Sequence, residues 1–147
     1  MLQYLSANFQ KDLDHLQQEV LAYRDETKLW ITQGEVNNSA GNLALHLVGN
    51  LNHFVGHHLG KTGYVRNREA EFNLKNVPAA AIADQIGDTA TMVSQVLAQL
   101  SLSDLDETYP LEVFGKPMTT GYFLMHLLGH LNYHKGQISY HRRLLDQ

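Results

Sequence analysis

Apolar residues recur every three or four positions along four long stretches of this chain, and that period is met only by helices that bury one face. Leu5, Phe9, Leu13, Leu16, Val20 and Tyr23 share one stripe of a first segment over about 2–28. Leu43, Leu47, Leu51 and Phe54 do the same over about 39–59, where Asn38 or Ser39 is placed to cap the first turn. A third segment, about 78–100, starts at Pro78 and carries Ile82, Ile86, Val93, Val96, Leu97 and Leu100. The fourth runs over about 119–145, with Thr119 or Thr120 as its cap and Arg142 and Arg143 at the end that favours cations. No stretch of comparable length alternates with the period of a strand, so the expected fold is all-α, a four-helix bundle.

With 147 residues the chain fits one domain over 1–147, large enough for a core without staples. It has no cysteine, which excludes disulfides, thiolate nucleophiles and cysteine-bound zinc. A net charge of -4 and no basic run argue against nucleic acid and anionic membranes as partners. No apolar stretch approaches the ~20 residues of a membrane span. The first residues lack the pattern of a secretory signal, so a cytoplasmic location is expected. Two connections are long, Gly60 to Val77 and Leu102 to Met118. The first is long enough to cross the bundle and make the second and third helices parallel. In the second, Leu111, Val113 and the Gly115-Lys116-Pro117 turn suit a short extended or hairpin piece.

Histidine is the one compositional excess: nine residues, seven of them in two windows, 46–58 and 126–134. His126, His130 and His134 are spaced by four, on one helical face. Two imidazoles one turn apart can meet at one metal, but His126 and His134 lie about 12 Å apart along the axis, too far for bonds of about 2 Å. The pair is therefore His126 with His130 or His130 with His134. The second helix offers His46 or His53 as a third ligand, with Asn50 between them. Three neutral imidazoles suit zinc, nickel, iron or copper and leave positions open for water or substrate. The plainer alternative is a helical domain whose histidines are hydrogen-bonded or exposed; His15 and His141 read as surface residues, and His57 and His58 as imidazoles kept partly positive at a helix end.

The two windows also echo each other. His46-Leu-Val-Gly-Asn-Leu-Asn aligns with His126-Leu-Leu-Gly-His-Leu-Asn, which pairs His46 with His126. A different register comes from three longer motifs: Asn42-Leu-Ala-Leu-His46-Leu-Val-Gly-Asn50-Leu, Arg66-Asn-Arg-Glu-Ala-Glu-Phe72, and His130-Leu-Asn-Tyr-His134-Lys-Gly-Gln-Ile138. With these the chain resembles the DinB-like superfamily, which includes YfiT-like members, and most nearly its DUF1572-like branch. The resemblance implies an up-down-down-up bundle with a long crossover between helices two and three, a homodimer, and a metal triad formed by His46, His130 and His134. His126 then falls outside the triad. It also implies a divalent metal, zinc or nickel first and iron next, and small-molecule chemistry: group transfer to a low-molecular-weight thiol, or hydrolysis. The alternative is a non-catalytic bundle that binds a metal or small ligand in a stress response.

A metal on these residues would lower the pKa of a bound water or thiol and supply a nucleophile near neutral pH. Its binding should weaken below about pH 6 as ordinary histidines take up protons. No glutamate follows the histidines as in His-Glu-x-x-His, so a metalloprotease base is missing. Asn50, His53, Tyr133 and His126 are candidates to support the ligands or line the pocket. Arg66, Arg68, Glu69 and Glu71 are expected to form an internal salt-bridge cluster pinning the crossover, with Phe72 as its apolar anchor; an anion site is the other reading of the arginines. Gly49, Gly56, Gly129 and Gly136 each cost a helix about 1 kcal/mol, which close helix approach would explain.

Overall fold

The computed structural model describes all residues 1–147. It holds five α-helices: α1 (Leu2–Leu21), α2 (Ala40–Leu51), a short α3 (Arg68–Asn73), α4 (Ala79–Gln99) and α5 (Thr120–Leu145). There is no β-strand; one isolated antiparallel bridge joins Thr108 to Thr119. That bridge is the only extended pairing in the 102–118 link, short of the hairpin piece expected there. Side chains predicted to face inward do so: Phe9, Leu13, Leu16, Leu47, Leu51, Ile82, Ile86 and Leu97 are essentially inaccessible.

Cross-helix partners fix the directions. Asp12 meets Asn132 and Lys135, and Glu19 meets Ser139 and Arg142, so α1 and α5 run parallel. His46 meets His130 while Phe54 meets Phe123, so α2 and α5 are antiparallel. Asn52 donates to Thr89, and Gly56 and Gly60 face Met92 and Val96, so α2 and α4 are parallel. The four long helices are thus up-down-down-up, and the crossover after α2 carries the chain back to start α4 in the same direction. No helix is long and apolar enough to cross a membrane.

Three local departures from the periodic pattern matter. The first helix stops at Leu21 instead of running on to residue 28. Asp25 accepts hydrogen bonds from the Thr27 amide and hydroxyl and starts a 3₁₀ turn, Glu26–Trp30. That turn lays the Trp30 ring against Gly41, where a Cβ would sit 2.8 Å from ring atoms. Helix α2, capped by Ser39, has all twelve residues buried and then widens into one π turn over Asn52–His57. Asn52 donates to the Val48 carbonyl at 2.8 Å within that widening. The crossover, for which the sequence predicts a salt-bridge cluster but no helix, contains α3.

The glycines divide. A Cβ at Gly56 would lie 3.2 Å from the Met92 sulfur, so this glycine permits helix approach as expected, but a Cβ at Gly129 or Gly136 would meet nothing within 4 Å. Close packing does not explain those two. Gly129→Ala should raise stability by about 1 kcal/mol, a melting-temperature gain of a few degrees in thermal denaturation.

Candidate metal centre

His46, His130 and His134 converge. Their ligand-capable nitrogens all lie within 4.8 Å of one another, with His46 buried and the other two half-buried. The Nε2 atoms of His46 and His130 are 3.2 Å apart. Two nitrogens on one tetrahedral ion, each about 2.0–2.1 Å from it, would be about 3.3 Å apart. The His46 ring meets the His130 and His134 rings edge-on, with centroids 5.1 and 5.3 Å away.

Two of the three rings are held from behind. His46 Nδ1 donates to Glu71 Oε1 at 3.0 Å, which leaves its Nε2 lone pair facing the other imidazoles. His134 Nδ1 donates to Gln137 Oε1 at 2.7 Å with the same result. His130 Nδ1 is buried and has no partner. Because His46 Nε2 is an acceptor, His130 Nε2 donates to it in the ion-free protein and Nδ1 is left as a bare lone pair. An ion that took the two Nε2 lone pairs would relieve that contact. The residues therefore fit a divalent transition ion: a neutral three-imidazole donor set, two members with fixed tautomers, and one hydrogen bond of marginal quality to be replaced. The buried Asn50 carbonyl Oδ1, also without a partner, adds an unused acceptor one turn after His46.

Sequence reasoning placed Glu71 in the crossover salt-bridge cluster but missed that it supports His46. Glu71 sits on α3 and is buried. Arg66 grips its carboxylate with two hydrogen bonds, Nε to Oε2 and Nη2 to Oε1, both 2.8 Å. Burial alone would raise the Glu71 pKa, but hydrogen bonds from Arg66 and His46 outweigh that and hold it below the usual glutamate range. Asn42, one turn before His46, donates to the backbone carbonyls of Glu71 and Leu74 at 3.0 and 2.9 Å and so docks α3 on α2. Gly49 completes the seat: a Cβ there would lie 2.0 Å from Glu71 Oε2. The close approach predicted for this glycine is made by a carboxylate, not by a helix. Gly49→Ala should therefore lower stability by about 2–4 kcal/mol despite alanine's better helix propensity. Urea denaturation would show it as a lower midpoint.

The expected crossover cluster is split. Arg66 and Glu71 form its inner half; Arg68 and Glu69 are exposed, with Arg68 over the Phe72 ring at 5.1 Å. Phe72 packs on His46, ring centroids 4.9 Å apart. Of the supporting candidates, His126 is exposed and stacks on Phe123, 6.3 Å from the His130 ring. Tyr133 is exposed, its ring 5.2 Å from that of His134. His53 lies on the π turn, where the wider winding breaks its register with His46; its ring contacts are Phe54, His57 and His58. His58, expected to be partly positive, is instead held below the usual histidine range by burial first and then by His57 and Lys61. His141 is not a plain surface residue either. Its Nε2 donates to the Ile31 carbonyl and its Nδ1 accepts from the Tyr23 hydroxyl, each at 2.8 Å.

The profile of the DinB superfamily matches residues 6–138. The chain belongs to the DinB superfamily. A crystal structure of a DinB-like protein from Bacillus cereus superposes with a TM-score of 0.68 at 23% identity, covering 97% of this chain and 86% of that one. That neighbour shares the bundle fold of this DinB-superfamily member. No curated protein matches the sequence.

Proposed function

We propose that this DinB-superfamily protein is a metal-dependent enzyme whose ion is held by His46, His130 and His134, with zinc or nickel as the preferred metal and iron as a third choice. The observation that carries the reading is the convergence of three imidazole nitrogens within 4.8 Å, two of them already holding the tautomer a ligand needs. A divalent ion among three neutral imidazoles supplies Lewis acidity, lowering the pKa of a coordinated water or thiol. The reactions that fit are transfer of a group to a low-molecular-weight thiol and hydrolysis. The chain's own part is positional. Glu71 and Gln137 hold two rings, Asn42 and Gly49 hold Glu71, and Phe72 closes the back of His46 to water.

The test is equilibration with zinc or nickel followed by removal of excess and elemental analysis, then a turnover screen pairing thiols with electrophiles and water with esters. One metal per chain with turnover that a chelator abolishes supports the proposal. Absence of stoichiometric metal overturns it. Stoichiometric metal without turnover across the screen favours the non-catalytic bundle instead.

Burial changes the pH behaviour expected of ordinary histidines. His130 is pushed down to about 4, by burial first and then by His134 and His46. His134 is also lowered, by burial before the opposing hydrogen bond to Gln137. Protons then compete with a metal at His130 and His134 less than at ordinary imidazoles, so the loss of metal below pH 6 should be shallower than for three exposed histidines, as elemental analysis across a pH series would show. The sign for stability follows. The unfolded chain protonates this residue near pH 6.5, while the folded chain resists. The contribution is fully present above pH 6.5 and is lost as pH falls through about 4. The melting temperature of metal-free protein should fall over that interval, and less so in His130→Gln.

A further inference from the structure

Beside the triad lies a groove of about 920 Å³, walled on one side by the segment Gln33–Asn38 and on the other by the C-terminal half of α5. It is within the range of small-molecule sites, about 300–1,000 Å³. His134 belongs to both the triad and the groove lining, and so does its support Gln137 touch both. The floor and walls are apolar and aromatic: Val36, Leu43, Tyr133, Tyr140, Leu144 and Leu145. Tyr133, Tyr140 and Leu144 are 66%, 64% and 65% exposed, a concentration of uncovered apolar side chain on one helix face. The two tyrosines are two turns apart, about 10 Å along the axis, and Gly136 between them leaves the intervening space empty.

The charge of the lining is as informative as its shape. No lysine or arginine lines it, and Glu35 is its only carboxylate. Arg143 lies over the Tyr140 ring, 4.7 Å from the ring centre, but is outside the lining. Glu35 is exposed, so solvent screens it and leaves it a weak partner for a cation. Amides supply the polar contacts: Gln33, Asn37, Asn38 and Gln137. His141, which also faces the groove, spends both ring nitrogens on Tyr23 and Ile31 and so braces the wall instead of binding.

We propose that this groove is the substrate site and takes an uncharged, largely aromatic small molecule, its polar, reacting end at His134. The assignment of a reacting end rests on the metal-dependent reading above; the binding preference does not. Tyr133 and Tyr140 would hold the aromatic body; an anionic analogue would lose solvation for which the lining offers no cation, and a cationic one would find only the exposed, solvent-screened Glu35.

Three probes of equal size separate the outcomes: 2-naphthylmethanol, 2-naphthoate and 2-naphthylmethylammonium. Each is titrated into metal-free protein and followed by amide chemical shifts. The alcohol should bind at least about tenfold more tightly than either ion, with shifts confined to residues 33–38 and the second half of α5. Tyr140→Lys should abolish that binding without changing the melting temperature, since the side chain is exposed. In cobalt-loaded protein the protons of the bound alcohol should be broadened. Equal or tighter binding of an ion, shifts elsewhere, or no binding overturns the proposal. So does a dimer, seen by sedimentation, that Tyr140→Lys dissociates, because a second copy would then be the occupant. If cobalt does not bind, the metal reading fails while the titration still decides the groove. Binding without broadening in protein that does hold cobalt removes the reacting end from His134.

Discussion

His130→Ala protein should emerge from zinc or nickel equilibration without stoichiometric metal, while remaining folded. His130 is the member common to every pairing that spacing allows on α5, and its Nε2 lies 3.2 Å from that of His46. Structural zinc sites bind with about 10–16 kcal/mol, so one of three imidazoles carries roughly 3–5 kcal/mol, or about a 10²–10⁴-fold loss of affinity. Titration against a competing chromophoric chelator measures it. Two companion variants make the result specific. His126→Ala and His53→Ala remove imidazoles that sequence alone made equally eligible, and both should keep wild-type affinity within a few-fold. His126 is turned toward Phe114 and Phe123, and His53 toward His57 and His58. Loss of metal in His126→Ala with retention in His134→Ala would reassign the site to the other pair.

Glu71→Ala should be the most damaging change to the fold itself. It leaves the Arg66 guanidinium, whose side chain is 11% exposed, without its partner, and breaking a buried pair costs about 3–5 kcal/mol. That is a large share of the ~5–15 kcal/mol that holds a domain together. It also frees the His46 ring, and losing such a support typically costs about 10–100-fold in metal affinity. The two effects separate in a double variant. Arg66→Met with Glu71→Met removes both charges and should recover much of the stability, because apolar replacement of a whole buried pair is often neutral. It should not recover metal affinity, because the Nδ1 acceptor is still gone. Calorimetry reads the first and chelator competition the second. Recovery of both together would mean that Glu71 serves only the fold.

The long helices were legible in the sequence because each buries one face, and a stripe such as Phe9-Leu13-Leu16-Val20 has no other period. Their ends were less so. The stop at Leu21 depends on Asp25 accepting from the Thr27 amide, a local competition that the apolar pattern does not record. The π turn depends on Asn52 reaching Val48 and Thr89. Helix α3, six residues long, is too short for any period to show. Within the site, spacing limited α5 to two pairs and the family register chose His130 with His134, the pair that converges with His46. Glu71 was legible as a salt-bridge partner of Arg66, but its bond to His46 was not, because the two meet across a crossover of uncertain course. One further signal was present: a glycine three residues after His46 in a helix, where the acid of that salt-bridge cluster could sit. The groove gave none, since its floor joins residues about a hundred positions apart.

Gly49 and Glu71 form a lock and its key, and neither position is free to drift alone. A methyl at 49 evicts the acid, while an acid shortened to aspartate at 71 would leave a void and fall short of the imidazole. Among natural variants the two should change in concert or not at all. Anyone redesigning this bundle around a different ion would have to recut both together.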